Sequence, residues 1–189
     1  IYFLMVRGQP RSTLFTYTTR FRSSGIYPLS SKTPVCPGLE AAGEIIDLGT
    51  EVEDFNIGDR VCYAAVPLGA YCEIRDFPSS KIIKIPNYIS ANTAASILLQ
   101  GMTVEYLFER LYKIKKNEFL LFHAAAGGVG LIASQWARSV GAKMIGTVSS
   151  DTKAELAEKN GCAFTINYKN ENVFEKVKEI TEGKGVTVV

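Results

Sequence analysis

The chain has 189 residues, 47% of them hydrophobic, with 21 Lys and Arg against 19 Asp and Glu. This is globular composition, enough for one large domain or two small ones, and it excludes disorder as the main state. A net charge of +2 points neither to nucleic acid nor to an acidic membrane surface, and the apolar runs are too short to span a bilayer. Cys36, Cys62, Cys72 and Cys162 show no C-x-x-C spacing, and His123 is the only histidine. Neither a disulfide scaffold nor a Cys/His zinc site is expected, and a reducing cytoplasm is the default compartment.

The first 23 residues stand apart. Thr13 to Ser23 (TLFTYTTRFRS) matches nine of eleven residues of TLFPYTTLFRS, the translation of a common sequencing adapter. Residues 1–23 are therefore left unassigned as an expected artefact, although their β-propensity also suits a genuine strand.

From Ser24 onward short strands and turns follow one another, as in a small β-barrel or sandwich: Glu40–Leu48, Arg60–Ala64, Ala70–Arg75 and Lys81–Ile85. Composition then changes. Ser90 heads a helix through Leu99 as its N-cap, and a second helix is expected over Thr103–Leu111. The remainder alternates regularly: strand Phe119–His123, helix Val129–Val140, strand Lys143–Val148, helix Thr152–Lys159, strand Phe164–Asn167, helix Val173–Thr181 and strand Val186–Val189. Alternation of this kind specifies a parallel, doubly wound sheet with right-handed crossovers. The expected fold is α/β, with a partial barrel over residues 24–100 and the first part of a dinucleotide-binding sheet over 101–189. Its last apolar run reads as an internal edge, so the chain is expected to be a fragment of a longer protein.

The strongest local motif is LLFHAAAGGVG, an apolar strand that runs through glycines into an amphipathic helix. Against G-x-G-x-x-G, Ala125 takes the first slot, Gly127 the second and Gly130 the third. Gly127 lets a pyrophosphate approach the backbone and Gly130 lets helix and strand pack closely, while the helix N-terminus faces the phosphates. An NAD site carries Asp or Glu about 20 residues further on. That slot falls near Ser149, and the residues there are Ser149, Ser150 and, one turn on, Lys153. Hydroxyls with an ammonium suit a 2′-phosphate, so NADP is favoured over NAD. Asp151 is assigned to the helix dipole.

The motifs HAAAGGVGL, IGTVSS and PGLEAAGEI…GDRV, with SGIYP, LGAY, GMTVEYL and INYKNE, resemble the zinc-independent quinone oxidoreductases. These form the zeta-crystallin-like branch of the medium-chain dehydrogenase/reductase superfamily. The resemblance runs from about Ser24 to Val189. It implies a GroES-like catalytic domain followed by a Rossmann domain, with NADPH as cofactor, a small quinone as substrate and a homodimeric full-length parent. It also implies roles for Thr103, for Ala126, Gly127, Gly128 and Val129 around the pyrophosphate, for Lys153 at the 2′-phosphate and for Tyr168 near the adenosine. The family's Asn-x-x-Asp-x-Tyr pattern is replaced by Thr16, Thr19 and Phe21.

Zinc-dependent relatives carry His in a G-H-E-x-x-G motif; the equivalent here is Gly38-Leu39-Glu40-Ala41-Ala42-Gly43, and leucine cannot ligate zinc. No metal is expected. Glu40 is a general-acid candidate that reads more readily as a structural hydrogen-bonding group, and His123 reads as a loop-bonding histidine as readily as a proton donor. Tyr63, Tyr71 and Phe77 are cleft candidates whose commoner fate is core packing. No catalytic residue is assigned. The competing activities are NADPH-dependent enal or enone reduction and NADPH binding without turnover.

Overall fold

A computed structural model describes residues 3–8 and 36–189, with side chains from Cys36 onward. The chain divides into two units, residues 1–99 and 100–189.

In the first unit, β1 (Phe3–Gly8), β2 (Glu40–Leu48), β3 (Arg60–Ala64), β4 (Ile74–Pro78) and β5 (Ile83–Lys84) form an antiparallel sheet in the order β4-β1-β2-β3-β5. Phe3–Gly8, set aside with residues 1–23 in the sequence reading, is a strand with partners on both sides. Leu4 stands opposite Leu48 of β2 and Phe77 of β4. The adapter-like stretch Thr13 to Ser23, with Thr16, Thr19 and Phe21, lies outside the described residues.

Ile45, Val61 and Phe77 are fully buried between these strands, and the Tyr63 and Phe77 rings stack with centroids 4.0 Å apart. The Arg75 guanidinium lies 4.7 Å from the Phe77 centroid and donates to Tyr63 Oη at 3.2 Å. Tyr63 and Phe77 are thus core residues, and the half-buried Tyr71 packs on the same cluster. Burial raises the Tyr63 phenol above its ordinary pKa, and the Arg75 bond opposes that rise.

The expected strand Ala70–Arg75 instead begins at Ile74. The N–H groups of Gly69 and Ala70 donate to Gly38 O, and that of Tyr71 to Pro37 O, so this backbone is already paired in a loop. Of Lys81–Ile85 only Ile83–Lys84 is strand, because Ser79–Lys81 forms a 3-10 turn.

Helix α1 (Ala91–Glu105) starts at Ser90, whose Oγ accepts from Thr93 N at 3.0 Å as an N-cap does. It does not stop at Leu99. A Cβ at Gly101 would meet nothing within 4 Å, and one helical glycine costs only about 1 kcal/mol. The two expected helices are therefore one, ending in a widened π turn over Tyr106–Leu111 that Tyr112 N closes on Leu107 O. The Glu40 carboxylate accepts from Leu99 N at 3.1 Å, the structural role expected of it. Burial raises its pKa, and the Leu99 bond pulls the other way.

The second unit is the parallel sheet. Strands β6 (Phe119–Phe122), β7 (Lys143–Val148) and β8 (Phe164–Asn167) lie in the order β6-β7-β8, with α2 (Gly128–Val140), α3 (Asp151–Lys159) and α4 (Val173–Ile180) as crossovers. Leu121 donates to Val188 O and Thr187 to Phe119 O, so the last residues run along the free edge of β6. Met144 and Val148 face a core shared with Val104, Phe108, Ala133 and Ala137, while Ile145 faces the opposite one with Ile166 and Val177. This two-sided burial, with side chains alternating between faces, explains the nearly unbroken apolar text of β7.

Candidate functional site

The site is built at the carboxyl ends of the parallel strands. Beyond β6 the chain turns through Ala124, at φ 55°, so Gly127 N reaches Ala124 O at 2.8 Å. Leu131 N, bonded to Gly127 O, is the first to close a helical hydrogen bond in α2. The N–H groups of Gly128, Val129 and Gly130 precede it and have no acceptor within the helix. A Cβ at Gly130 would lie 2.5 Å from Ala125 O and 2.6 Å from Ala124 O, so helix and turn meet there without space for a methyl. A Cβ at Gly127 would lie 3.1 Å from Ala124 O, a far milder contact. Ala125, in the first glycine slot, is fully buried, and its methyl lies against Gly146 of β7.

The next strand end supplies the polar groups. Lys153 Nζ donates to Ser149 Oγ at 3.1 Å, and both side chains border one cavity. Ser150 faces differently: its Oγ accepts from Lys153 N at 3.4 Å and caps α3. Asp151 Oδ1 accepts from Asn167 Nδ2 at 2.9 Å, which ties the awkward carboxylate of this strand end to β8. Among the described residues, no carboxylate lines the cavity.

The cavity measures about 460 Å³. Ala124, Ala126 and Gly127 of the glycine turn form one wall. Val148, Ser149 and Lys153 form a second, and the exposed Tyr168 ring with Val173 closes a third. Of the expected site residues, Ala126, Gly127, Ser149, Lys153 and Tyr168 border it directly. Gly128, Val129 and Gly130 begin the helix behind it, and Ser150 serves as the cap. Thr103 is exposed on α1 and does not border it.

His123 and Thr147 complete the lining. Thr147 Oγ1 lies 3.1 Å from His123 Nδ1 and 3.4 Å from Ala124 N. The amide can only donate, and the hydroxyl keeps a second lone pair and a proton, so the imidazole tautomer sets the direction of its bond to Nδ1. His123 thus bonds the neighbouring strand β7 and not, as expected, its own loop, and it also faces the cavity. Sequence spacing gave no reason to select Thr147 or Val173, because only the parallel register brings the three strand ends together.

Among the described residues, no group of three or more His, Cys, Asp or Glu side chains converges as a metal site requires. Residues 13–108 match the alcohol dehydrogenase GroES-like domain and residues 128–189 the zinc-binding dehydrogenase domain. The chain belongs to the medium-chain dehydrogenase/reductase superfamily. It is similar to a quinone oxidoreductase of Pseudomonas aeruginosa, 44% identical over 97% of this chain and 56% of that protein. A 2-haloacrylate reductase of Burkholderia is 47% identical over 82% of this chain and 47% of its own length. The crystal structure of Escherichia coli quinone oxidoreductase complexed with NADPH superimposes with a TM-score of 0.90, at 44% identity, covering 99% of this chain and 56% of that one. The chain thus spans about half the length of the relatives it matches. Superfamily membership accords with the GroES-like and truncated Rossmann architecture expected from the sequence.

Proposed function

We propose that the protein containing this chain is an NADPH-dependent quinone reductase, with the dinucleotide held at the strand ends described above. The observation that carries this reading is the Lys153–Ser149 pair at 3.1 Å on a β7 end whose cavity has no carboxylate lining among the described residues. An ammonium and a hydroxyl are donors for a 2′-phosphate, whereas a ribose hydroxyl calls for an acceptor. The residues fit the rest of the dinucleotide as well. The free N–H groups of Gly128, Val129 and Gly130 suit a pyrophosphate, and Gly127 leaves its approach open. Tyr168, exposed at the cavity wall, offers a flat face to the adenine.

When bound, NADPH supplies a hydride. Reduction of a quinone leaves an oxyanion that needs only hydrogen-bond donors and a proton from solvent, so the chemistry makes small demands on side chains. This chain's residues therefore work chiefly by binding and orienting. The similarity to quinone oxidoreductases supports quinone as substrate. The 2-haloacrylate reductase relative supports a second reading, reduction of an activated carbon–carbon double bond. A cytoplasmic homodimer is part of the proposal, supported by the four free thiols and by the family.

Lys153→Ala tests the cofactor reading. A charge-assisted hydrogen bond to phosphate contributes on the order of 1.5–3 kcal/mol. NADPH affinity should fall roughly ten- to a hundredfold, with NADH nearly unaffected and the difference shrinking as salt rises. Equal losses for both dinucleotides would refute the assignment. Turnover of a simple quinone by the intact protein, compared with an enal and a 2-haloacrylate, separates the two substrate readings; no turnover of any would leave binding without catalysis.

A further inference from the structure

Cys36 and Cys72 are the two thiols outside the apolar cores. Cys62 and Cys162 are buried among apolar side chains, whereas Cys36 is exposed and Cys72 half-buried. The backbones of the outer pair are held side by side. Tyr71 N donates to Pro37 O at 3.1 Å, and Gly69 N and Ala70 N donate to Gly38 O at 3.0 and 3.2 Å, so residues 36–38 and 69–72 run antiparallel. A Cβ at Gly38 would lie 2.8 Å from both Ala70 Cβ and Tyr71 Cδ1, a measure of how closely the two segments pack. With Pro37 opposite Tyr71 at a hydrogen-bonded position, the next pair along is Cys36 opposite Cys72, at a non-hydrogen-bonded one. In a regular ladder the Cα atoms of such a pair stand about 4.5 Å apart, inside the roughly 4.4–6.8 Å that a disulfide spans.

The side chains agree with that register. Cys36 Sγ donates at 3.2 Å to Tyr71 O, the carbonyl joined to Cys72 N, and Cys72 Sγ donates to Gly69 O at 3.0 Å in the same loop. The Arg75 guanidinium is fixed to that loop by bonds to Pro67 O and Leu68 O, both at 3.3 Å. Burial raises the Cys72 thiol above its ordinary pKa; the Arg75 charge opposes the rise and the Cys36 charge adds to it, so each sulfur lies in the other's field. No third His, Cys, Asp or Glu joins the pair among the described residues, so it does not make a metal site.

We propose that Cys36 and Cys72 are a redox-active pair that closes into a reversible disulfide on meeting a hydroperoxide. The exposed Cys36 thiolate attacks a peroxide oxygen; the O–O bond breaks, leaving Cys36 as the sulfenic acid and releasing an alcohol or water. Cys72 then attacks Cys36 Sγ. The S–S bond forms, the S–O bond breaks, and the hydroxide leaves as water with the Cys72 proton. Two thiols give up two electrons, the peroxide accepts them, and both thiol protons end in the products. A small thiol such as glutathione reopens the bond by exchange.

The test treats the intact protein with hydrogen peroxide, blocks the remaining thiols and maps the peptides. Two of the four thiols should be lost, the peptides carrying Cys36 and Cys72 should be joined, and dithiothreitol should restore both. In Cys72→Ser, Cys36 should instead accumulate as the sulfenic acid, trapped by dimedone, and pass on to the sulfinic acid. Cys36→Ser should leave Cys72 a thiol at the same dose. Survival of all four thiols at a dose that oxidises free glutathione would overturn the proposal. So would over-oxidation of Cys36 beside an intact Cys72 thiol, or a disulfide that joins two chains through Cys36.

Discussion

The two glycines that open α2 should respond oppositely to the same added methyl. At Gly130 a Cβ would stand 2.5 Å from Ala125 O and 2.6 Å from Ala124 O, well inside the roughly 3.5 Å at which non-bonded atoms settle. Both obstacles are backbone, so no rotamer change relieves them, and helix or turn must shift by most of an ångström. Overpacking of that order costs about 1–3 kcal/mol. For a unit of this size each kcal/mol moves the melting temperature by about 4–8 °C, so Gly130→Ala should melt about 5–20 °C lower. At Gly127 the nearest atom would be 3.1 Å away, and its φ of −79° is open to alanine. Gly127→Ala should stay within about 0.5 kcal/mol of the parent. Its methyl would stand where the cavity meets the helix start, so NADPH affinity should fall about tenfold or more. Circular-dichroism melts give the first quantity and quenching of protein fluorescence by NADPH the second. If Gly130→Ala melts like the parent, or Gly127→Ala loses as much stability as Gly130→Ala, the division of labour is wrong.

Glu40→Gln should lessen the pH dependence of stability. Burial raises the Glu40 pKa above 4.5, outweighing the Leu99 N–H bond. The folded state therefore favours the protonated acid: this contribution is fully present below 4.5 and is lost as pH rises through the folded pKa. Glutamine keeps an acceptor for Leu99 and cannot ionise, so denaturant midpoints measured from pH 4 upward should fall less than in the parent; an identical slope would refute this. Thr147→Val should cost about 0.5–1.5 kcal/mol through the lost bonds to His123 Nδ1 and Ala124 N, measured by denaturant melts; a variant as stable as the parent would refute this.

β7 and β8 are found at Lys143–Val148 and Phe164–Asn167, as read from the sequence, because short apolar strands between turns leave little freedom. β4 was displaced because the Gly69–Tyr71 amides had carbonyl partners thirty residues earlier in the chain, which no local pattern reveals. The break expected around Gly101 failed for the opposite reason, since nothing crowds that glycine and the helix passes through it. In the site, the glycine turn and the Ser149–Lys153 strand end were legible because a known spacing ties them. Thr147 and Val173 depend on which segments the fold places side by side, and they emerged only in three dimensions.

The alanine in the first slot of the glycine motif has a counterpart one strand away. An added methyl on Gly146 would collide with the Ala125 methyl and lie 2.7 Å from Cys162 Sγ. The Ala125 methyl fills the space that Gly146, lacking one, leaves open on β7. A methyl at position 146 thus has two obstacles, and shrinking residue 125 to glycine would remove only the first, leaving Cys162 Sγ. A three-glycine turn transplanted here would leave a void beneath it, one that an alanine at 146 would fill only with a further change at Cys162.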